Sequence, residues 1–146
     1  MIKHVIGSLL DAEEEIIAHQ VNCKFVMGAG LAKQIRSKYP EVYKTYMTAK
    51  FQSNLLGKIQ IVNVNKNRTV ANLFSQYNYG RVGLYTDYKA LKETLAKLKN
   101  YAKANNLRVA LPHGLGCGLA GGDWNTVSKI IEEAFDGYEV TIYKYD

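Results

Sequence analysis

Leu111-Pro-His-Gly-Leu-Gly-Cys-Gly-Leu-Ala-Gly-Gly-Asp-Trp124 is the most glycine-dense segment of the chain and lies between a strand pattern and a helix pattern. Five glycines, Gly114, Gly116, Gly118, Gly121 and Gly122, separate an apolar run, Leu107 to Leu111, from a helical pattern that starts near Asp123. Glycine loses more backbone freedom on folding than any other residue, so a loop this poor in side chains needs a compensating interaction. Bare backbone N–H groups beside the positive end of a helix dipole supply one when an anion, most often a phosphate, comes close. A plain flexible connection between strand and helix is the alternative. Asp123 stands where a helix N-cap belongs.

The elements around this loop alternate. Upstream, Lys3 to Leu10 is a short apolar run broken by Gly7-Ser8, and Ile16 to Val21 is a nearly continuous apolar run of the kind a strand covered on both faces shows. Asn22 to Gly30 reads as a loop, Leu31 to Tyr39 as a helix, and Pro40 starts a second helix running to about Lys50. Gly57 to Asn65 and Arg68 to Ser75 are strands joined by a hairpin turn at Asn65-Lys66-Asn67. Gln76 to Tyr85 is a polar, aromatic loop. Tyr88, Leu91, Leu95, Leu98 and Tyr101 recur at helical steps within Asp87 to Ala104, with Thr86 or Asp87 as cap. Leu107 to Leu111 is a strand, Asp123 to Phe135 a helix and Glu139 to Tyr143 a last strand. The implied fold is a three-layer α/β/α sandwich with a mixed central sheet, in one domain over residues 1–146.

Composition narrows the function. A chain of 146 residues buries a core without disulfides or metals, and no apolar run is long enough to cross a bilayer. With no signal-peptide pattern at the start, the expected location is the cytoplasm. Nineteen Lys and Arg against 13 Asp and Glu give a net charge of +6, which suits an anionic partner. Many lysines, among them Lys89, Lys92, Lys97, Lys99 and Lys103, fall on outer helix faces, and no basic run is dense enough for a nucleic-acid arm, so nucleic acid is not expected as a partner. Cys23 and Cys117 have no companions at zinc-ligand spacing; neither a metal nor a cofactor is expected.

Ligands of α/β sheets lie beyond the C-terminal ends of the strands. Three sequence-distant loops meet there: Asn22 to Gly30, Ser75 to Tyr85 and His113 to Gly122. Two glycine-rich loops facing each other can hold a diphosphate, with Asn22 and Asp123 available to sugar hydroxyls. No P-loop occurs, and Gly116-Cys-Gly-Leu-Ala-Gly121 fits the short dinucleotide pattern only late in the chain.

His19-Gln-Val-Asn-Cys-Lys-Phe-Val-Met-Gly-Ala-Gly-Leu-Ala, Ile35-Arg-Ser-Lys-Tyr-Pro-Glu-Val-Tyr, Val70-Ala-Asn-Leu-Phe-Ser-Gln and Gly116-Cys-Gly-Leu-Ala-Gly-Gly-Asp-Trp, in that order, resemble the macrodomain family. More narrowly they resemble the small bacterial and phage macrodomains grouped with the yeast ADP-ribose-1''-phosphate phosphatase and the human terminal ADP-ribose glutamate hydrolase. The resemblance implies an ADP-ribose cleft. Met27, Gly28, Ala29, Gly30 and Leu31 would face the distal ribose and phosphate. His113, Gly114, Leu115, Gly116, Cys117, Gly118 and Leu119 would wrap the diphosphate. Phe74 and Gln76 would complete the cleft, and Asn22 would hold the distal ribose. Three positions depart from the pattern: Gln76 replaces the lysine nucleophile, Ala120 replaces the catalytic aspartate with Asp123 the nearest carboxylate, and Ser8 replaces the adenine-binding aspartate with Asp11 nearest.

Two function classes follow. The first is a hydrolase acting at the distal ribose of ADP-ribose derivatives, with ADP-ribose-1''-phosphate phosphatase activity leading and Asp123, Asn22 and His19 as catalytic residues. The second is a non-catalytic ADP-ribose-binding module, an ADP-ribosyl-protein hydrolase without the lysine being a further variant; the partner is then ADP-ribose, its 1''-phosphate or an ADP-ribosylated protein. Tyr77, Tyr79 and Tyr85 are candidates to stack on adenine or cover the ribose, and Arg81 to reach a phosphate; packing and solvation are the alternatives. His19 inside an apolar strand has a structural alternative too.

Overall fold

The computed structural model describes residues 1–145. Six strands, β1 (Ile2–Ile6), β2 (Ile16–Asn22), β3 (Ile59–Asn65), β4 (Arg68–Gln76), β5 (Val109–Pro112) and β6 (Val140–Lys144), form one sheet in the order β1-β6-β5-β2-β4-β3. All neighbouring strands are parallel except β3, which returns antiparallel along β4 through the Asn65-to-Arg68 turn. The sheet is therefore mixed.

The period-2 alternation of each strand feeds two separate cores. Ile16, Ala18, Ala71, Leu73, Val109, Leu111, Val140 and Ile142 point to one face, under α3 (Tyr88–Ala104) and α4 (Trp124–Ala134). Ile17, Val21, Val62, Val70, Phe74 and Ala110 point to the other, under α1 (Gly30–Lys38) and α2 (Pro40–Thr48). The helical stripe of α3 is buried as its spacing requires, with Leu91, Leu95 and Leu98 fully enclosed. Three layers result.

The first apolar run breaks at Gly7-Ser8, as its sequence suggests. β1 is a half-exposed edge strand that stops at Ile6, and Leu9 to Asp11 form a single 3-10 turn whose N-cap is Ser8, its hydroxyl accepting from the Leu10 N–H at 3.2 Å. Asp11 is exposed and faces Lys38 at 3.9 Å. Asp87 and Asp123 cap α3 and α4 by accepting from Ala90 N–H and Thr126 N–H. No described helix is long and apolar enough to cross a membrane.

Candidate functional site

The C-terminal ends of β2, β4 and β5 bring three loops around a cleft of about 330 Å³, a volume within the range of small-molecule sites. One wall is Val26 to Ala32, the loop after β2 and the first turn of α1. The opposite wall runs from Pro112 to Ala120 without Cys117. Gln76, Tyr79 and Gly80 close a third side, and His19 to Asn22 form the floor.

The glycines divide into two kinds. A Cβ at Gly28, Gly30, Gly114 or Gly118 would meet nothing within 4 Å, so these positions leave open space and uncovered backbone. At Gly116, Gly121 and Gly122 a Cβ would collide with Thr86 Oγ1, the Gly83 carbonyl and the Gly116 carbonyl, so glycine is needed there for loop to sit on loop. The clasp is visible in the hydrogen bonds: Tyr85 N–H and Thr86 N–H both donate to the Ala120 carbonyl, at 2.7 and 3.1 Å.

Unpaired donors line both walls. Ala29, the N-cap of α1, makes no side-chain capping bond, which leaves the first-turn N–H groups of α1 facing the cleft with the dipole behind them. Across from them, the N–H groups of Gly114, Gly116, Gly118 and Leu119 have no protein acceptor among the described residues. Among the described residues, no Asp, Glu, Lys or Arg lines the cleft. Any attraction for an anion there comes from main chain and dipole, not from a side-chain charge.

Two side-chain networks shape the floor. Asn22 Oδ1 accepts from Lys24 N–H and Val26 N–H, at 3.0 and 3.3 Å, and its amide donates to the Val26 carbonyl. Tyr46, fully buried in α2, donates to the Asn22 carbonyl and reaches Asn22 Oδ1 at 3.0 Å. Asn22 thus folds the first wall, with one amide hydrogen still unassigned. Gln20 ties the third side together: its amide donates to Gln76 Oε1 and Thr86 Oγ1, while its Oε1 accepts from Ser75 Oγ.

His19 belongs to a cross-strand row whose polarity is set from outside the cleft. Thr45 O, a carbonyl in the last turn of α2, can only accept, so Gln60 presents its amide nitrogen to it at 2.9 Å. Gln60 Oε1 then accepts from Asn72 Nδ2 at 2.9 Å, which turns Asn72 Oδ1 toward His19 Nε2 at 2.6 Å. Nε2 must therefore carry the proton. His19 Nδ1 is left as a buried lone pair without a partner. Burial pushes the imidazole down to about 4, against a smaller upward pull from the Asn72 bond, so the ring is neutral at pH 7.

Three candidate residues lie away from the cleft. Phe74 is enclosed in the α1/α2 core, its ring 5.8 Å from that of Tyr46. Cys117 turns into the opposite core, where desolvation pushes its thiol up to about 11. Asp123 lines a separate depression between α3 and α4 with Tyr88, Lys92 and Glu133, and its carboxylate holds Thr126 N–H and Oγ1, each at 3.0 Å. A helix cap faces its own first turn, and this turn faces away from the cleft. Ser8, Asp11 and Arg81 do not line the cleft either; among the tyrosines only Tyr79 does, while the Tyr85 hydroxyl donates to the Val82 carbonyl. Gln20 and Pro112 were not singled out in the sequence. A glutamine in an otherwise apolar strand run was the available signal for the first.

The Macro domain family model matches residues 18–131, which spans most of β2, the three loops and most of α4. The chain belongs to the macrodomain family. Among its relatives, the DNA ADP-ribosyl glycohydrolase of Thermus aquaticus is 29% identical over 153 residues, covering 99% of this chain and 41% of that protein. The ADP-ribose 1''-phosphate phosphatase of Saccharomyces cerevisiae is 25% identical over 98% of both chains. The macrodomain of Mycobacterium tuberculosis DarG superposes with a TM-score of 0.85 at 28% identity, covering 98% of this chain and 97% of that one. This macrodomain spans about two fifths of the length of the first curated relatives it matches.

Proposed function

We propose that the cleft binds ADP-ribose, with the pyrophosphate between the Gly28–Leu31 wall and the Gly114–Leu119 wall, and that the chain hydrolyses ADP-ribose derivatives at the distal ribose. The observation that carries this reading is the pair of cleft walls whose N–H groups have no protein acceptor, with no carboxylate lining the cleft among the described residues, together with relatives named as hydrolases of ADP-ribosyl groups and of ADP-ribose 1''-phosphate. ADP-ribose 1''-phosphate is the leading substrate. Water attacks phosphorus, the bond to the 1'' oxygen breaks, and inorganic phosphate and ADP-ribose leave. Asn22 orients the distal ribose through its remaining amide hydrogen, and the phosphate takes up the proton of the attacking water, while His19, buried and hard to charge, shapes the floor beneath them. A Schiff-base route has no support, since Gln76 stands in the cleft and no lysine does.

A second reading, a binding module without turnover, is favoured by one observation: the nearest carboxylate in the sequence, Asp123, is spent on capping outside the cleft. Calorimetric titration with ADP-ribose tests the cleft, and phosphate release from ADP-ribose 1''-phosphate tests the reaction. Binding without release of phosphate, and without release of ADP-ribose from modified protein, leaves the module. No binding at all rejects both.

A further inference from the structure

Gln20 interrupts the apolar run of β2, and the hydrogen bonds around it have only one consistent direction. The Gly116 carbonyl can only accept. Thr86 Oγ1 therefore donates to it, at 2.6 Å, and accepts from Gln20 Nε2 at 2.9 Å. The other Gln20 amide hydrogen goes to Gln76 Oε1 at 3.1 Å, while Gln20 Oε1 accepts from Ser75 Oγ at 2.7 Å. At the far end of the row the Asn78 carbonyl also only accepts, so Gln76 Nε2 donates to it at 2.8 Å. Both ends demand the same orientation of Gln76. Turned over, its amide would set oxygen against the Asn78 carbonyl and N–H against the N–H groups of Gln20.

A break in sheet register brings this fixed amide to the cleft. Val21 pairs with Phe74 but Asn22 pairs with Gln76, so Ser75 is one residue too many in β4. A bulge of this kind re-aims a neighbouring side chain. Gln76 becomes the cross-strand neighbour of Asn22, and both line the cleft. Each keeps one amide hydrogen without an acceptor among the described residues. The Asn22 side-chain oxygen, by contrast, is filled by Lys24 and Val26 N–H, and the Gln76 oxygen is half filled by Gln20. The two amides together offer more hydrogens than lone pairs.

We propose that Gln76 is a specificity-determining residue: its remaining N–H donates to the group carried on the sugar that Asn22 holds, and favours a phosphoryl oxygen there over a hydroxyl. Gln20 is the positioning residue that keeps Gln76 from turning its oxygen to the ligand. That the sugar is the distal ribose of ADP-ribose rests on the function proposed above. A hydroxyl brings its own hydrogen to a place already rich in them. An ionised oxygen only accepts, and the hydrogen bond it receives is about twice as strong.

Initial rates of phosphate release from ADP-ribose 1''-phosphate, with ADP-ribose as competitor, give kcat/KM for the first and Ki for the second, and their product measures the preference for the phosphoryl group. For a protein without turnover, calorimetric constants for the two ligands give that preference as a ratio. Gln76→Met, which keeps the length and loses the amide, should lower the preference at least about fivefold. Gln76→Glu still accepts from Gln20 but sets a charge beside the phosphate, so the preference should fall further. Gln20→Met frees Gln76 to turn and should lower the preference in part; the double variant Gln20→Met/Gln76→Met should be no worse than Gln76→Met, since nothing is left to position. A Gln20 that only supports the fold would leave the preference alone or add its own loss in the double variant, and either result overturns its positioning role. An unchanged preference in Gln76→Met overturns the proposal. Should Gln20→Met fail to fold, the two substitutions at half-exposed Gln76 still decide. A wild-type chain that does not bind ADP-ribose rejects the cleft reading, whereas one that binds it with no preference for the 1''-phosphate rejects this inference alone.

Discussion

His19 should make the stability of this macrodomain depend on pH in a defined window. Unfolded, the imidazole takes up a proton near 6.5; folded, it does so only near 4, because charging it would place an ion in the sheet interior. Between those values the unfolded chain holds more proton, so stability falls as pH drops from 6.5 to 4 and levels off below. Above 6.5 the residue contributes no slope. The shift corresponds to about 3 kcal/mol in full, of which about 2.5 kcal/mol is lost by pH 4.5. Urea denaturation at pH 7.5, 6.5, 5.5 and 4.5 measures it. Other groups also titrate: His113, more exposed, is lowered in the same direction, and Glu15, held down to about 2 by Arg108, acts at lower pH. The informative quantity is therefore the difference between the wild-type chain and His19→Gln, whose amide still donates to Asn72 Oδ1. Parallel pH profiles for the two proteins between 6.5 and 4.5 would refute the buried neutral histidine.

Other perturbations separate packing from binding. Gly118→Ala adds a methyl where nothing lies within 4 Å, so the melting temperature should hold while ADP-ribose affinity drops; Gly121→Ala strikes the Gly83 carbonyl and forces an L residue to φ 76°, so both should drop. Asp123→Ala should cost about 1 kcal/mol as a lost cap and leave turnover intact, read by denaturation and by phosphate release. Tyr46→Phe strands Asn22 and should cost about 1–3 kcal/mol, with loss of amide protection from Cys23 to Val26 in hydrogen exchange.

Periodicity carried most of the fold. The apolar recurrence in α3, the continuous run of β2 and the β3–β4 hairpin were legible because burial on a fixed period leaves its mark residue by residue. β1 was less so, since a half-exposed edge strand has no clean pattern and Ser8 reads equally as a loop or a cap. At the site, the glycines marked both walls. They did not reveal which way the first turn of α4 faces, and so Asp123 looked closer to the cleft than it is. The proton position on His19 was equally hidden, being dictated by a carbonyl of α2 through Gln60 of β3, two strands away in the sheet order.

Because the Ala120 oxygen receives both Tyr85 N–H and Thr86 N–H, the rim after β4 and the rim after β5 are mechanically a single body. A guest that stiffens one must stiffen the other, even where it touches only the first. Deuterium uptake at residues 85 and 86 is therefore a sensor for occupancy, readable without a label on the guest and without any group of the reporter taking part in holding it.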